Sequence, residues 1–134
     1  MAQRTKLYHV ALGIQQAEGW IMPSLNAAYP YGSSSYIHHN PGNVRSSPFE
    51  IQNDGQYSFF ENDDIGIFAV MWQLWVYAKH GFANITPADS IAQAISQYND
   101  LALTDPAFEN YITIVEKVGG VIRTDPVSSL LINE

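Results

Sequence analysis

Apolar residues open the chain at helical spacing: Leu7, Ala11 and Ile14 lead to the acidic Glu18 in steps of four, three and four, with Val10 and Ala17 beside them. The pattern predicts an amphipathic helix with Thr5 as its cap and Glu18 on the stripe that faces the core. Gly19 offers the left-handed conformation that ends helices, and Pro23 makes a long continuation unfavourable. Residues 23–48 carry Gly, Ser, Asn, Pro and Tyr with neither a strand nor a helix period, which predicts a long irregular stretch. Stretches of that kind often carry function.

Phe49 and Ile51 then alternate with polar residues, Asn53-Asp54-Gly55 supplies a turn, and Tyr57 and Phe59 resume the alternation, so a β-hairpin follows. Residues 65–78 are apolar on every face, with Gly66 and Gln73 as interruptions, which predicts a helix buried all round and capped by Asp63 or Asp64. Thr86-Pro87-Ala88-Asp89 has a cap residue, a proline for the first helical position and an acid for the first turn, leading to Ile91, Ile95 and Tyr98. Asp105-Pro106 repeats the signal ahead of Phe108, Tyr111, Ile112, Val115 and Val118, and Gly119-Gly120 stops that helix. Asp125-Pro126 opens a last short turn. The fold class is therefore mainly α (α+β): one domain over residues 1–134, with a small β-hairpin after the first helix and a buried central helix.

Length and composition agree, since 134 residues of which 46% are apolar suffice for one core. Cysteine is absent, so neither a disulfide nor a thiolate metal site is available. A net charge of -7 repels phosphate backbones and anionic lipid headgroups, and no Lys/Arg cluster offsets it, so nucleic acid is not an expected partner. The same charge repels any other anionic polymer. The first residues lack an unbroken apolar core and a small-residue cleavage site, and the most apolar run is too short to span a bilayer; neither a secretory signal nor membrane insertion is expected.

Two segments carry candidate chemistry: Ala17-Glu18-Gly19-Trp20, and His39-Asn40-Pro41-Gly42-Asn43-Val44-Arg45 after the loop. Together, in this order and followed by an aromatic hairpin and a central helix, they resemble the lysozyme-like peptidoglycan hydrolases and lytic transglycosylases of phages and bacteria. Asn110-Tyr111 and the run from Val115 to Gly119 look like that family's closing helix. The resemblance implies a lysozyme-like domain that cleaves the β-1,4 bond between N-acetylmuramic acid and N-acetylglucosamine, with Glu18 as catalytic general acid/base. A glycosidic oxygen is a poor leaving group, and a carboxyl shielded from water at a helix end can hold the proton it needs. Asn40, Asn43, Tyr36, His39, Tyr98 and Tyr111 are the expected substrate-binding residues, and Tyr29 and Tyr31 are further candidates for stacking on sugar faces.

Pro41 fixes its own φ and Gly42 is free to take positive φ, so the turn can hold its flanking amides in one geometry. His38-His39 departs from the family pattern; adjacent residues of an extended stretch point opposite ways, and no metal or cofactor is expected. Arg45 is expected to point to solvent or to pair elsewhere, since a long cationic side chain usually keeps its head in water. A second catalytic carboxylate is not evident: Asp54, Asp63 and Asp64 have turn and cap roles, leaving Glu50 and Glu61 on the hairpin. Without one, the sugar's C6 hydroxyl acts as nucleophile, as in lytic transglycosylases. The expected partners are peptidoglycan strands and other phage virion proteins, and the expected place is a virion, or the host wall or periplasm after release. The competing reading is a non-catalytic phage virion structural or glycan-binding protein with the same fold.

Overall fold

A computed structural model of the chain describes residues 2–20 and 32–131, with side chains from residue 6 onward. Pro23, Tyr29 and Tyr31 lie outside the described residues. The architecture is mainly helical with one small antiparallel hairpin. Helix α1 (Ala2–Ala17) packs along α5 (Pro106–Gly119) and against α3 (Asp63–Lys79), which also meets the closing 3₁₀ turn (Val127–Leu131). Their apolar stripes fuse into one core: Leu7, Val10, Ala11 and Ile14 from α1, Val70 and Leu74 from α3, and Ile112 and Val115 from α5. The leucine, isoleucine and valine side chains among them contribute roughly 1.5–3 kcal/mol each when fully buried. Among the described residues no helix is long and apolar enough to cross a membrane.

Helix α5 has the predicted start and stop. Asp105 caps it by accepting from the Ala107 amide at 2.8 Å, Pro106 stands at its first turn, and Gly120 takes φ 67 just beyond its end. Gly19 likewise takes φ 79 after α1. The other boundaries differ. Helix α1 already runs from Ala2, so Thr5 lies within it and not at its cap. Asn62, one residue before the predicted aspartates, caps α3 by accepting from Ile65 N at 3.0 Å. Helix α4 (Ile91–Asn99) starts at a capping box between Ser90 and Gln93; Asp89 instead binds back to the Thr86 amide at 2.8 Å, making a separate turn of the Thr-Pro signal.

Three further corrections bear on the site. The stretch read as irregular contains a short helix, α2 (Ser34–Ile37), capped by Ser33. Helix α3 is not buried all round: Gly66, Val70, Leu74 and Tyr77 face inward, whereas Phe68 and Trp72 are 50% and 38% exposed. Its outer face lies under Phe49, whose ring meets Phe68 and Trp72 edge-on at 5.1 and 5.6 Å, so aromatic contacts replace full burial there. In the hairpin, β1 (Gln52–Asn53) pairs with β2 (Ser58–Phe59), Gln52 opposite Phe59 and Asn53 opposite Ser58. Ser58 and Phe60 are the buried positions while Ile51 is exposed, so the phase is set by backbone bonds to the preceding loop and not by the apolar alternation.

Candidate active site

The loop after α2 is tied to the hairpin by Asn40, whose side chain is fully buried. Its amide donates to the carbonyls of Val44 at 2.8 Å and Ser58 at 3.0 Å, and its side-chain oxygen accepts from Val44 N at 2.8 Å. Expected as a substrate contact, Asn40 has its side chain engaged inside the protein and acts by positioning the turn. Ser58 N to the Val44 carbonyl and Phe60 N to the His38 carbonyl complete the seam.

The turn is then pressed against α3 and α4. A Cβ on Gly66 would collide with the His39 carbonyl, and one on Gly42 with the Val70 side chain and the Tyr98 hydroxyl. Gly42 is not at positive φ, so the expectation of left-handed backbone there is corrected: glycine is required for space, so that the Tyr98 hydroxyl can donate to its carbonyl at 2.6 Å. The left-handed positions are His39 (φ 52) and Asn43 (φ 50), and asparagine is among the few residues that tolerate it. That conformation aims the Asn43 amide at Glu18.

Glu18 follows α1 directly, with its amide bonded to the Ile14 carbonyl at 2.8 Å. Its half-buried carboxylate is gripped on both oxygens: Asn43 Nδ2 donates to Oε1 at 3.0 Å and the Tyr111 hydroxyl to Oε2 at 2.6 Å. Burial, and then the neighbouring Glu18, push the hydroxyls of Tyr111 and Tyr98 far above the usual tyrosine range. Both therefore stay protonated and serve as donors.

Glu18 stands on the wall of a cleft of ≈ 340 Å³. Asn43, Val44, Arg45 and Ser46 form the wall beside it, Tyr57 comes from the hairpin, Gln73 and Tyr77 from α3, Gln97, Tyr98 and Asn99 from α4 and its end, and Phe82 from the loop between them. Burial raises the Tyr77 hydroxyl to about 12. Among the described lining residues Glu18 is the one carboxylate and Arg45 the one cation. The buried amide nitrogen of Asn99 has no hydrogen-bond partner among the described residues.

Of the predicted residues, the structure brings Glu18, Asn43, Tyr98 and Tyr111 together. Tyr36 and His39 are elsewhere: Tyr36 packs its ring 5.1 Å from Trp20, and His39 Nδ1 meets Asp63 Oδ1 at 2.7 Å, neither lining this cleft. His38 turns to a different partner, Asp54 Oδ2 at 3.1 Å, and stacks on Phe59. Glu50 accepts from Ser58 Oγ at 2.7 Å, Ser47 N and Asn53 Nδ2 within the hairpin, and the Ser58 hydroxyl holds its carboxyl below the usual range. Glu61 is exposed and outside the cleft lining. Gln73, Gln97, Asn99, Tyr57, Tyr77 and Phe82 were not anticipated from sequence. The one local signal was Gln73, a lone polar residue in an apolar helix.

Comparison of the chain with protein-family models, with curated proteins and with solved structures returned no match.

Proposed function

We propose that this protein is a lysozyme-like glycosidase that cuts the β-1,4 bond between N-acetylmuramic acid and N-acetylglucosamine in peptidoglycan, with Glu18 as acid and then base. The observation that carries the reading is a carboxylate on a cleft wall, gripped by an amide and a tyrosine hydroxyl, with no second carboxylate among the described lining residues. Such a grip fixes the acid's geometry before substrate arrives. Protonated Glu18 gives its proton to the glycosidic oxygen as the bond to C1 breaks and its electron pair leaves with that oxygen. The C6 hydroxyl of the same muramic residue closes on C1, and its proton passes to the Glu18 carboxylate. The products are a 1,6-anhydromuramic end and a free N-acetylglucosamine end, and the acid is restored.

Mass spectrometry of digested, purified peptidoglycan tests this. Anhydro ends are the expected outcome; reducing muramic ends alone would refute the single-carboxylate route, and intact strands would refute the activity. The second reading, a virion structural or glycan-binding protein without turnover, draws support from one feature, the aromatic outer face of α3 with Phe68 and Trp72 exposed.

A further inference from the structure

The cleft has an electrostatic asymmetry that cutting a glycosidic bond does not require. In a chain of net charge -7, Arg45 is the one cationic residue among those described at its wall. Arg45 is exposed, and its side chain makes no ion pair or hydrogen bond among the described residues. Arg123, by contrast, is locked to Glu109 and Glu116. The backbone at Arg45 is held firmly: its carbonyl accepts from Asn53 Nδ2 at 2.7 Å, and Val44 before it is bonded to Asn40 and Ser58. Asn43, two residues back, holds the catalytic carboxylate. An anchored base with an uncommitted guanidinium, fixed relative to Glu18, is suited to recognising an anion on the substrate bound there.

Resting on the peptidoglycan reading, we propose that Arg45 determines specificity by binding a carboxylate carried on the C3 substituent of the muramic sugar. Two sources supply that chemistry: the lactyl carboxylate of strands without peptide, and the carboxylates of the peptide stem where one is attached. Neutral N-acetylglucosamine polymers carry neither. Arg45 thereby offsets, at the one place where it matters, the repulsion between an acidic protein and an acidic polymer.

Affinities measured by NMR titration test this without turnover, using three soluble ligands: N-acetylglucosaminyl-N-acetylmuramic acid without peptide, the same disaccharide bearing its stem, and neutral N,N′-diacetylchitobiose (chitobiose below). Arg45→Gln is expected to weaken binding of an anionic ligand about threefold at low salt, as an exposed ion pair does, and to leave chitobiose unchanged. Arg45→Lys should recover part of the loss, and added salt should shrink it. Loss with the stem-free disaccharide identifies the lactyl carboxylate; loss confined to the stem-bearing one identifies the peptide. Equal affinities in wild type and Arg45→Gln, or an equal loss with chitobiose, would overturn the proposal. Digestion of peptidoglycan in parallel separates the two ideas. Strands cut while binding is indifferent to Arg45 refute only this inference, whereas Arg45-dependent binding with strands left intact refutes only the activity.

Discussion

Replacing Tyr111 by Phe removes one oxygen from the middle of the proposed machinery and leaves the ring in place. Tyr111 is 7% exposed, so its packing against the core is retained, and the loss is the 2.6 Å bond to Glu18 Oε2. Hydrogen bonds to charged groups contribute about 1.5–3 kcal/mol net. Glu18 is half-buried and water can reach part of the freed oxygen, so the lower part of that range applies, about 1.5–2 kcal/mol. For a chain of this length that corresponds to a fall in melting temperature of roughly 4 °C per kcal/mol. The assay is urea denaturation of wild type, Tyr111→Phe, Glu18→Ala and the double variant. Because the residues touch, their effects should fall short of additivity by about 1 kcal/mol or more. Additivity to within about 0.3 kcal/mol would mean that the hydroxyl does not hold the carboxylate, and the argument for a preset acid would fail.

Two other perturbations probe the walls of the site. Gly42→Ala places a methyl group into Val70 and the Tyr98 hydroxyl, so it should cost about 1–3 kcal/mol by overpacking and lower turnover with Glu18 untouched; a thermal melt equal to wild type would show that the turn is not pressed against α3 and α4. The Asp54 carboxyl is held down to about 2, first by the Tyr57 amide, then by the Gln56 amide and His38, against an ordinary aspartate near 3.9. Because the folded value is the lower, this stabilisation is fully present above about pH 4 and is lost as pH falls towards 2. The melting temperature of Asp54→Ala should accordingly lie below wild type at pH 5–7 and approach it on acidification; a gap as wide at pH 2 as at pH 7 would contradict the assigned turn.

Helix α5 was legible to the residue because its start and stop are local chemistry, a cap with proline and a pair of glycines. The half-buried place of Glu18 was legible as well, since it stands in register with Leu7, Ala11 and Ile14. The outer face of α3 was not, because a run of apolar residues has the same appearance whether its far side meets protein or, as at Phe68 and Trp72, solvent and a neighbouring loop. The purpose of Gly42 was misread for a related reason. A turn motif suggests backbone freedom, but the constraint is the distance to Tyr98, 56 residues further on. Asn99, Gln97 and Phe82 reach the cleft through such tertiary proximity, which leaves no periodic trace. Asn40 was found but given the wrong task, since a buried amide that ties two backbones and a surface amide that binds sugar are the same letter in a sequence.

The central claim is that Glu18 performs the cleavage, and the most direct test is peptidoglycan zymography of wild type beside Glu18→Gln. The amide presents a donor where the carboxylate accepted from Asn43 and Tyr111, costing about 1 kcal/mol, so the variant remains folded and its denaturation curve verifies this. The account predicts a cleared band for wild type and none for the folded variant; equal clearing by both would contradict it.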